Sequence, residues 1–419
     1  MILVLVTLGS RGDVAPFVAL GQALVEAGHE VRLVTQSEFG SLGRNTGVGL
    51  RLIDMDDSRE LLGLPAARAA LRRNYDPLAI ARLMSALAPQ FERVYRVTLA
   101  AARDADAVLC HPMTFPALDV ADRLRLPVIQ VHHVPAVPTR AFPCALGHRI
   151  GHTLGPVANR LSYSADGWLA WGLTGRIMNR LGGDILNRPP ISTRQALTLR
   201  RRRAGVVVGV SPQVLPRPAD WPADVVTTGY LRTAAREGVP LDSATRRFLA
   251  DGAPPVLVTL GSTPVPNPER TSRIMVSAAR AAGLRIILQR GVAGLDHTDD
   301  PHSLHVVDQL DYDQILRQVA AVVHHGGAGT LAQVLTHGKP SLVLPSFADQ
   351  FFWAHRVPAI GAGPRPLPLK SLTEVTLTRR LRELADDPRY ASRAQAIGAR
   401  ISEEDGPRNA TTAINGFLA

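Results

Sequence analysis

Residues 319–350 read VAAVVHHGGAGTLAQVLTHGKPSLVLPSFADQ, and this stretch decides the fold. Two apolar runs, Val319 to Val323 and Ser341 to Leu344, enclose a glycine-rich turn and an amphipathic segment that begins at Thr330. This order predicts a strand, a tight loop, a helix and a second strand. The stretch is therefore a βαβ unit, and it indicates an α/β protein.

The glycine-rich turn predicts a site for an anion. Gly326, Gly327 and Gly329 leave the turn almost without side chains, so a ligand can lie against backbone N–H groups where the helix begins. A βαβ unit also needs glycine for packing alone, and GGxG by itself does not separate the two readings. The polar residues that surround the turn favour a ligand site; they are His324, His325, Thr330, Asp349 and Gln350.

Composition indicates a protein of two domains, because 419 residues with 46% apolar content are enough for two domains of ordinary size. The net charge of +11 is almost all arginine, since Lys339 and Lys370 are the only lysines. Apart from the run Arg200 to Arg203, the arginines are scattered and lack interleaved aromatic residues. We therefore predict no nucleic-acid partner.

The cysteines and the apolar segments indicate a cytoplasmic protein. Cys110 and Cys144 have no CxxC partner and fit a reducing compartment. The opening MILVLVTL lacks a basic region and is typical of a buried strand, not of a signal peptide. No uninterrupted apolar stretch is long enough to span a bilayer, which leaves room only for transient membrane contact.

The two halves of the chain begin alike. An apolar run is followed by Leu8-Gly9-Ser10 in one half and by Leu260-Gly261-Ser262 in the other. We expect two facing Rossmann-like domains, each with a parallel sheet, and a ligand cleft between them. The predicted segments are an N-terminal domain over 1–215, a proline-rich linker over 216–235, a C-terminal domain over 236–404, and a helix over 405–419 that packs back on the first domain.

Residues 135–200 differ from the rest in their prolines, glycines and aromatic side chains, which include Tyr163, Trp168 and Trp171. This composition is typical of helices and loops that bind a substrate. It is equally typical of a helical hairpin without a functional role, so both interpretations stay open.

The sequence resembles the family 1 glycosyltransferases with the GT-B fold. VVHHGGAGTLAQVLTHGKPSLVLPSFADQ is similar to their donor-binding signature, and GSRGDV is similar to a motif of the bacterial natural-product and sterol enzymes. The resemblance covers nearly the whole chain. It implies transfer of a sugar from a UDP- or TDP-sugar to a hydroxyl of a hydrophobic acceptor such as a polyketide or sterol, with inversion and without a metal or other cofactor.

The resemblance also implies roles for residues of the C-terminal half. Asp349 and Gln350 match the Asp-Gln pair that bonds the sugar hydroxyls in the family. The alternative interpretation of the same two residues is a helix-capping Asp followed by an exposed Gln. Val307, Asp308 and Gln333 fall at the nucleoside, where Gln333 replaces the ribose-binding Glu of plant relatives. The residues implied to hold the diphosphate are Ser262, His325, Gly327, Ala328, Gly329 and Thr330, with Ser10 and Arg11 approaching from the N-terminal half.

Asp13 occupies the position of the catalytic base in the family, where plant relatives have His and several bacterial ones Asp. A carboxylate there can accept the proton of an acceptor hydroxyl, and an Asp at a helix start can also be a simple cap. His132 and His133 are alternatives for base or acceptor contact, and Trp168 and Trp171 are expected acceptor contacts.

Two other classes of function predict different residues. A non-catalytic nucleotide-binding protein of the same fold would be expected to lose Asp13 or the Asp-Gln pair, and both are present. A nicotinamide oxidoreductase would need GxGxxG and an acidic residue at the end of the second strand. That strand ends instead in Thr35-Gln36, which argues against it.

Overall fold

A computed structural model describes residues 1–55, 64–72, 77–111, 113–145, 147–149, 151, 153–233, 241–261, 263–298, 300–308 and 310–419. The predicted diphosphate contact Ser262 lies outside the described residues. The chain forms two compact units. Unit 1 contains residues 1–212, 216–233 and 405–419, and unit 2 contains residues 213–215 and 234–404.

Unit 1 is built on a seven-stranded parallel sheet. The strand order is β3-β2-β1-β4-β5-β6-β7, and the central strand β4 is buried and apolar along its whole length, as expected of a sheet that is covered on both faces. The strands are β1 (Ile2–Val6), β2 (Glu30–Gln36), β3 (Gly49–Ile53), β4 (Ala107–Cys110), β5 (Val128–His132), β6 (Gly205–Val208) and β7 (Val225–Thr227).

Eight helices of unit 1 fall in the described residues. The predicted helix over 78–103 is two helices, because the chain turns at Leu87 before Pro89 starts the second one. The helices are α1 (Arg11–Glu26), α2 (Pro65–Arg72), α3 (Pro77–Ala86), α4 (Ala88–Ala102), α5 (Phe115–Leu124), α6 (Pro156–Leu186), α7 (Thr193–Arg201) and, at the C-terminus, α15 (Gly406–Leu418).

A buried ion pair fastens the long helix α6 to α5. Asp119 on α5 is 2% exposed and accepts hydrogen bonds from Nε and Nη2 of Arg188, both at 2.7 Å, and from the Tyr95 hydroxyl at 2.7 Å. Arg188 follows α6 and also donates to Asn179 on that helix. The carboxylate and the guanidinium thus satisfy each other where water does not reach.

The predicted linker over 216–235 needs a correction. Residues 225–227 form β7 at the edge of the first sheet, and 216–233 belong to unit 1. Trp221 is buried, and the Arg217 guanidinium donates to the Trp221 and Pro222 carbonyls, so this proline-rich segment is held against the unit. A three-residue edge strand has too few residues to show in the sequence pattern.

Unit 2 is built on a five-stranded parallel sheet with the order β10-β9-β8-β11-β12. Together with the sheet of unit 1, this sheet confirms the predicted fold class of two Rossmann-like domains, each with a parallel sheet. The strands are β8 (Val256–Thr259), β9 (Ile286–Gln289), β10 (Leu304–Val307), β11 (Ala321–His324) and β12 (Ser341–Val343). The helices are α8 (Ser243–Ala250), α9 (Pro268–Ala281), α10 (Tyr312–Ile315), α11 (Ala328–Thr336), α12 (Gln350–Ala359), α13 (Glu374–Asp386) and α14 (Pro388–Ser402).

Candidate functional site

Each sheet has one point at which the strand order reverses, and predicted site residues follow the strands that border it. The reversal lies between β1 and β4 in unit 1 and between β8 and β11 in unit 2. In open α/β sheets, ligands bind outside the carboxyl ends of the strands at such a point. Asp13 follows β1, and His325 follows β11, so both lie on the chain where this rule expects a ligand.

Asp13 is paired with His133 in unit 1. His133 Nε2 lies 2.7 Å from Asp13 Oδ1, and the two side chains are 13% and 31% exposed. The other carboxylate oxygen of Asp13 accepts hydrogen bonds from the backbone N–H of Ser10 at 2.7 Å and from its hydroxyl at 2.8 Å. Asp13 therefore serves the start of α1 as half of a capping box and also forms an acid–histidine pair.

The surroundings of Asp13 keep it ionised. Burial acts to raise the pKa of the Asp13 carboxyl, but the hydrogen bond and charge of His133 and the two Ser10 donors outweigh it and lower the pKa to about 2. Such a carboxylate is a weak base when taken alone. Asp13 and His133 thus form one hydrogen-bonded acid–histidine pair at the carboxyl ends of the strands of unit 1.

Two further histidines, His132 and His111, lie near His133. His132 is 1% exposed, and its ring nitrogens contact Gln130 Oε1 at 3.1 Å and the Ala136 N–H at 3.3 Å. Burial lowers the pKa of His132 to about 3, so this side chain is a neutral structural residue. The ring of His111, which sequence reasoning missed, lies 5.1 Å from that of His133. The only sequence feature that could have indicated His111 is its position directly after the apolar run 107–110.

The remaining predicted residues of unit 1 divide into exposed and buried ones. Arg11 starts α1 with an exposed side chain. Trp168 is 57% exposed and stays available for an acceptor. The prediction for Trp171 needs correction, because its ring packs 4.9 Å from that of Phe115 and the residue is 9% exposed in the core. Its place on the inner face of α6 accounts for the aromatic residue.

His325 is the centre of the polar cluster in unit 2. Its ring lies between two glycines: a Cβ atom at Gly327 would be 2.4 Å from Nε2, and one at Gly261 would be 2.7 Å from Cε1. Both positions therefore require glycine. Burial lowers the pKa of His325 to about 4, and among the described residues nothing bonds its Nδ1 atom. The ring is a neutral donor or acceptor, fixed by close packing at the strand end.

Helix α11 presents a free N-terminus beside His325. Its N-cap is Gly327, whose lack of a side chain leaves the first N–H groups without a side-chain cap, and Ala328, Gly329 and Thr330 form the first turn. Uncapped N–H groups and the helix dipole make such an end favourable for an anion. The structure thus brings together every described residue of unit 2 that was predicted to hold a diphosphate.

Asp349 and Gln350 lie at the start of α12, in a loop that Gln350 braces. Gln350 is 4% exposed; its Oε1 accepts from the Ser346 and Phe347 N–H groups at 2.8 and 3.2 Å, and its Nε2 donates to Thr263 Oγ1 at 3.0 Å. One hydrogen of the amide is left for a ligand. The alternative of an exposed Gln at this position is wrong.

The Asp349 carboxylate is positioned by two features. Trp353 Nε1, one turn along α12, donates to Asp349 Oδ2 at 3.0 Å, and Asp349 makes no side-chain capping bond to the helix. The preceding residue, Ala348, has a positive φ of 49°, a conformation that costs free energy in a residue with a Cβ atom. Strain of this kind persists where the surrounding contacts hold a loop in one shape.

Among the residues that the structure describes, the predicted nucleoside residues do not share a common contact: Val307 and Asp308 contact Arg290, and Gln333 contacts His337. The Val307 carbonyl accepts the Arg290 N–H at 2.9 Å, and the exposed Asp308 carboxylate pairs with the Arg290 guanidinium at 3.0 Å. The Gln333 carbonyl contacts His337 Nδ1 at 2.9 Å, while its side chain is half-buried on α11. Of the three side chains, only that of Gln333 carries an amide that can both donate and accept hydrogen bonds.

Sequence reasoning missed a polar network at the ends of β8 and β9. Gln289 Oε1 accepts from the hydroxyl of Thr259 at 2.7 Å and from that of Tyr312 at 3.0 Å, and Thr259 Oγ1 also accepts the Gly261 N–H at 3.1 Å. The network fixes the backbone that packs on His325. The sequence feature that could have indicated this network is a polar residue, Thr259 or Gln289, at the end of each of two apolar strands.

Two absences apply to the described part of the chain. It contains no group of three or more His, Cys, Asp or Glu side chains suited to hold a metal ion. It also contains no helix that is both long and apolar enough to cross a membrane.

Two protein-family models match the chain. Residues 3–129 match the glycosyltransferase family 28 N-terminal domain, and residues 274–414 match the C-terminal domain of the erythromycin biosynthesis protein CIII-like family. The first match contains Asp13, and the second contains the glycine-rich turn and Asp349.

Curated relatives match over the whole chain. An O-mycaminosyltylonolide 6-deoxyallosyltransferase of Streptomyces fradiae is 34% identical over 99% of this chain and 97% of its own length. A sterol 3-beta-glucosyltransferase of Arabidopsis thaliana is 29% identical over 99% of this chain and 68% of its own length.

Solved structures share the fold. The glycotransferase of kitacinnamycin has a TM-score of 0.69 at 20% identity, with 100% of this chain and 99% of that chain covered. The glycosyltransferase VinC, solved in complex with dTDP, has a TM-score of 0.64 at 18% identity, with 100% and 99% covered.

Proposed function

The chain belongs to the GT-B glycosyltransferases, and on that premise we propose that it moves a sugar from a UDP- or TDP-sugar to a hydroxyl of an apolar acceptor such as a polyketide or sterol. The reaction inverts the anomeric centre and uses no metal. Because the chain is an enzyme of this family, the non-catalytic alternative is not retained. A cytoplasmic location and transient membrane contact stay predictions.

The observation that carries the proposal is the Asp13–His133 pair at the strand-order reversal of unit 1. As the acceptor oxygen forms its bond to the anomeric carbon, its O–H bond breaks and the proton passes to the pair. Asp13 receives the proton from the hydroxyl, and His133 shares it through the 2.7 Å hydrogen bond. Attack on the face opposite the leaving group inverts the sugar.

Unit 2 supplies what the leaving group needs. The bond from the anomeric carbon to the diphosphate breaks with its electrons on the phosphate oxygen, so negative charge develops there. The uncapped N–H groups at the start of α11 and the neutral ring of His325 are fixed donors for that charge. Fixed N–H donors can replace a metal ion in this role, which supports metal-independent transfer.

Sugar binding is assigned to the loop before α12. The Asp349 carboxylate, held by Trp353, accepts hydrogen bonds from sugar hydroxyls, and the remaining amide hydrogen of Gln350 donates to one. Gln333 binds the ribose, and Val307 and Asp308 remain the proposed neighbours of the base. Ser10 acts first on Asp13, and with Arg11 it remains a proposed diphosphate contact.

The donor and acceptor classes rest on the named relatives. One relative is a deoxyallosyltransferase of a tylonolide, another glucosylates a sterol, and the structural neighbour VinC was solved with dTDP. Exposed Met113 and Trp168 in unit 1 offer apolar surface for an acceptor of this kind.

The experiment is a transfer assay of the purified protein with UDP- and TDP-sugars and with a macrolide lactone or a sterol as acceptor, in the presence of EDTA. We expect a glycoside whose anomeric configuration, read by NMR, is opposite to that of the donor. Retained configuration, or activity that EDTA abolishes and a divalent cation restores, would contradict the mechanism. Absence of product with every donor and acceptor would contradict the substrate classes.

A further inference from the structure

The arginine run at 200–203 is the one charged motif of the sequence that the proposed function leaves unused. Three of its members have ordinary partners. Arg201 donates to Ser164 Oγ at 3.0 Å, Arg202 pairs with Asp122, and Arg203 Nε lies 2.8 Å from Asp224 Oδ2. These contacts fasten the end of α7 to its neighbours.

Arg200 differs from the other three. Its side chain is 17% exposed and, among the described residues, forms an ion pair with Asp166, whose Oδ2 lies 3.8 Å from Nη2, too far for a hydrogen bond. Its only side-chain hydrogen bond in the described part of the chain is to the Met113 sulfur, at 3.2 Å from Nη2. A guanidinium has five donors and a thioether is a weak acceptor, and the pairing with Asp166 at 3.8 Å adds charge but no hydrogen bond. Most donors of this largely buried group therefore make no hydrogen bond within the described residues, and they are suited to a ligand.

Contacts connect Arg200 to the proposed base. The Met113 N–H donates to His111 Nδ1 at 3.2 Å, and the ring of His111 lies 5.1 Å from that of His133. On the other side, the Arg200 carbonyl accepts the Gln130 amide at 2.7 Å, and that amide also holds His132. Two residues, Met113 and His111, thus lie between Arg200 and the Asp13–His133 pair along this path.

The surface beside Arg200 is apolar and open. Met113 is 59% exposed, and Trp168 on α6 is 57% exposed. Gly167 precedes Trp168, and a Cβ atom at Gly167 would be 3.2 Å from Arg200 Nη1, so the guanidinium passes close to the α6 backbone. A charged donor beside an exposed thioether suits a molecule that is apolar except for a few oxygens.

We propose that Arg200 determines acceptor specificity by donating hydrogen bonds to a carbonyl or carboxylate oxygen of the acceptor, while the reacting hydroxyl lies at Asp13 and His133. The inference rests on the proposed function and names the chemical class of its acceptor. An acceptor with only its hydroxyl leaves these guanidinium donors without a hydrogen bond and binds more weakly.

The test compares three phenols of similar size: para-hydroxyacetophenone, para-hydroxybenzoate and para-ethylphenol. Dissociation constants are measured by ligand-observed NMR on the full chain with TDP present. We expect the ketone or the carboxylate to bind at least about tenfold more tightly than the ethyl compound, the effect of one charge-assisted hydrogen bond. Equal affinity of all three for the unaltered protein would overturn the proposal.

Variants locate the effect. Arg200→Met keeps the apolar stem, removes the guanidinium, and should reduce the preference for the oxygen-bearing ligands to about twofold or less. Arg201→Met is the matched control and should keep the full preference, because among the described residues the Arg201 side chain bonds Ser164 and not the surface beside Met113. If Arg200→Met fails to fold, Arg200→Lys replaces it, with a partial loss expected. A preference that survives in Arg200→Met would also overturn the proposal.

The outcome is separable from that of the proposed function. Stabilisation of the protein by UDP or TDP in a thermal-shift measurement reports on unit 2, where Arg200 does not lie. If neither nucleotide stabilises the protein, the proposed function fails. If a nucleotide binds and the phenols are not distinguished, the inference about Arg200 fails alone.

Discussion

His133 Nε2 lies 2.7 Å from Asp13 Oδ1, although the strands that precede these residues, β1 and β5, are not neighbours in the sheet. Strand β4 lies between them, and His111 follows its last residue, Cys110. The pair therefore spans the carboxyl ends of three strands. Its geometry depends on the whole centre of the sheet and not on one loop.

Replacing Asp13 with Asn should remove the base and keep the fold. The amide can still accept the Ser10 hydrogen bonds, but it cannot take a proton, so we expect kcat to fall by about 10²–10⁴-fold. UDP and TDP binding, measured by thermal shift, should not change. Asp122→Asn is the control, because Asp122 forms an exposed pair with Arg202. Full turnover by the Asp13 variant would refute the assignment.

Replacing His133 with Asn should raise the pKa of Asp13 from its value of about 2, since the variant loses the hydrogen bond and the charge of the imidazole. In the unaltered protein the folded pKa is below the unfolded one. The stabilising effect is therefore complete above about pH 4 and is lost as the pH falls toward 2. NMR titration of the Asp13 carboxyl carbon measures the shift directly, and an unchanged pKa would mean that His133 does not tune the base.

The buried histidines should make the protein less stable in mild acid. Burial lowers the pKa values of His324 and His132 to about 3 and that of His325 to about 4. Unfolding lets each ring take up a proton below its ordinary pKa near 6.5. Stability is therefore complete above that pH and falls as the pH is lowered toward 4.

Thermal unfolding between pH 7 and pH 5 checks this expectation, with a lower Tm expected at pH 5. His325→Gln should reduce the slope of Tm against pH, whereas His302→Gln should not, because the His302 side chain is 79% exposed. A Tm that does not change over this range would contradict the buried, neutral state of these rings.

Gln350→Leu should loosen the loop that carries Asp349. The variant loses the bonds to Ser346, Phe347 and Thr263, which together stabilise the protein by about 1–3 kcal/mol. We expect a higher KM for the sugar donor with little change in UDP or TDP affinity. Gln318→Leu, an exposed glutamine on the same unit, is the control. Equal rises in the KM for the donor and in the Kd for UDP or TDP would instead show that the variant disrupts unit 2 as a whole.

Asp119→Ala should be strongly destabilising, because it leaves the Arg188 guanidinium buried without its counter-ion. Loss of one member of such a pair costs about 3–5 kcal/mol, while loss of an exposed pair costs at most about 1 kcal/mol. Asp122→Ala, three residues along the same helix, removes a carboxylate whose pair is about half exposed. Urea unfolding of both variants measures the difference, and similar free energies would refute the buried pair's role.

Local pattern was sufficient to predict much of the fold. The apolar runs and glycine turns predicted β1, β8, β11 and their helices, because parallel strands covered on both faces are continuous apolar segments. The same pattern led to the turn at His325. It did not reveal β7, since three residues in a proline-rich segment carry no periodicity.

The site was less accessible to sequence reasoning. Asp13 and His133 were each singled out, but their pairing depends on a strand order that no local pattern contains. Trp171 and Trp168 look alike in the sequence, and their different burial follows only from which face of α6 meets Phe115. Arg200 likewise differs from its three neighbours only in what surrounds it.

Helix α15 belongs to unit 1, with Ala410 and Ile414 in the same apolar cluster as Leu3 and Leu5 of β1. Unit 1 is thus built from both ends of the described chain, and all of unit 2 is made by the ribosome in between. Since domains fold as units during synthesis, unit 2 can fold while unit 1 still lacks a helix. The half that carries the proposed base is therefore completed last, after translation of residues 406–418.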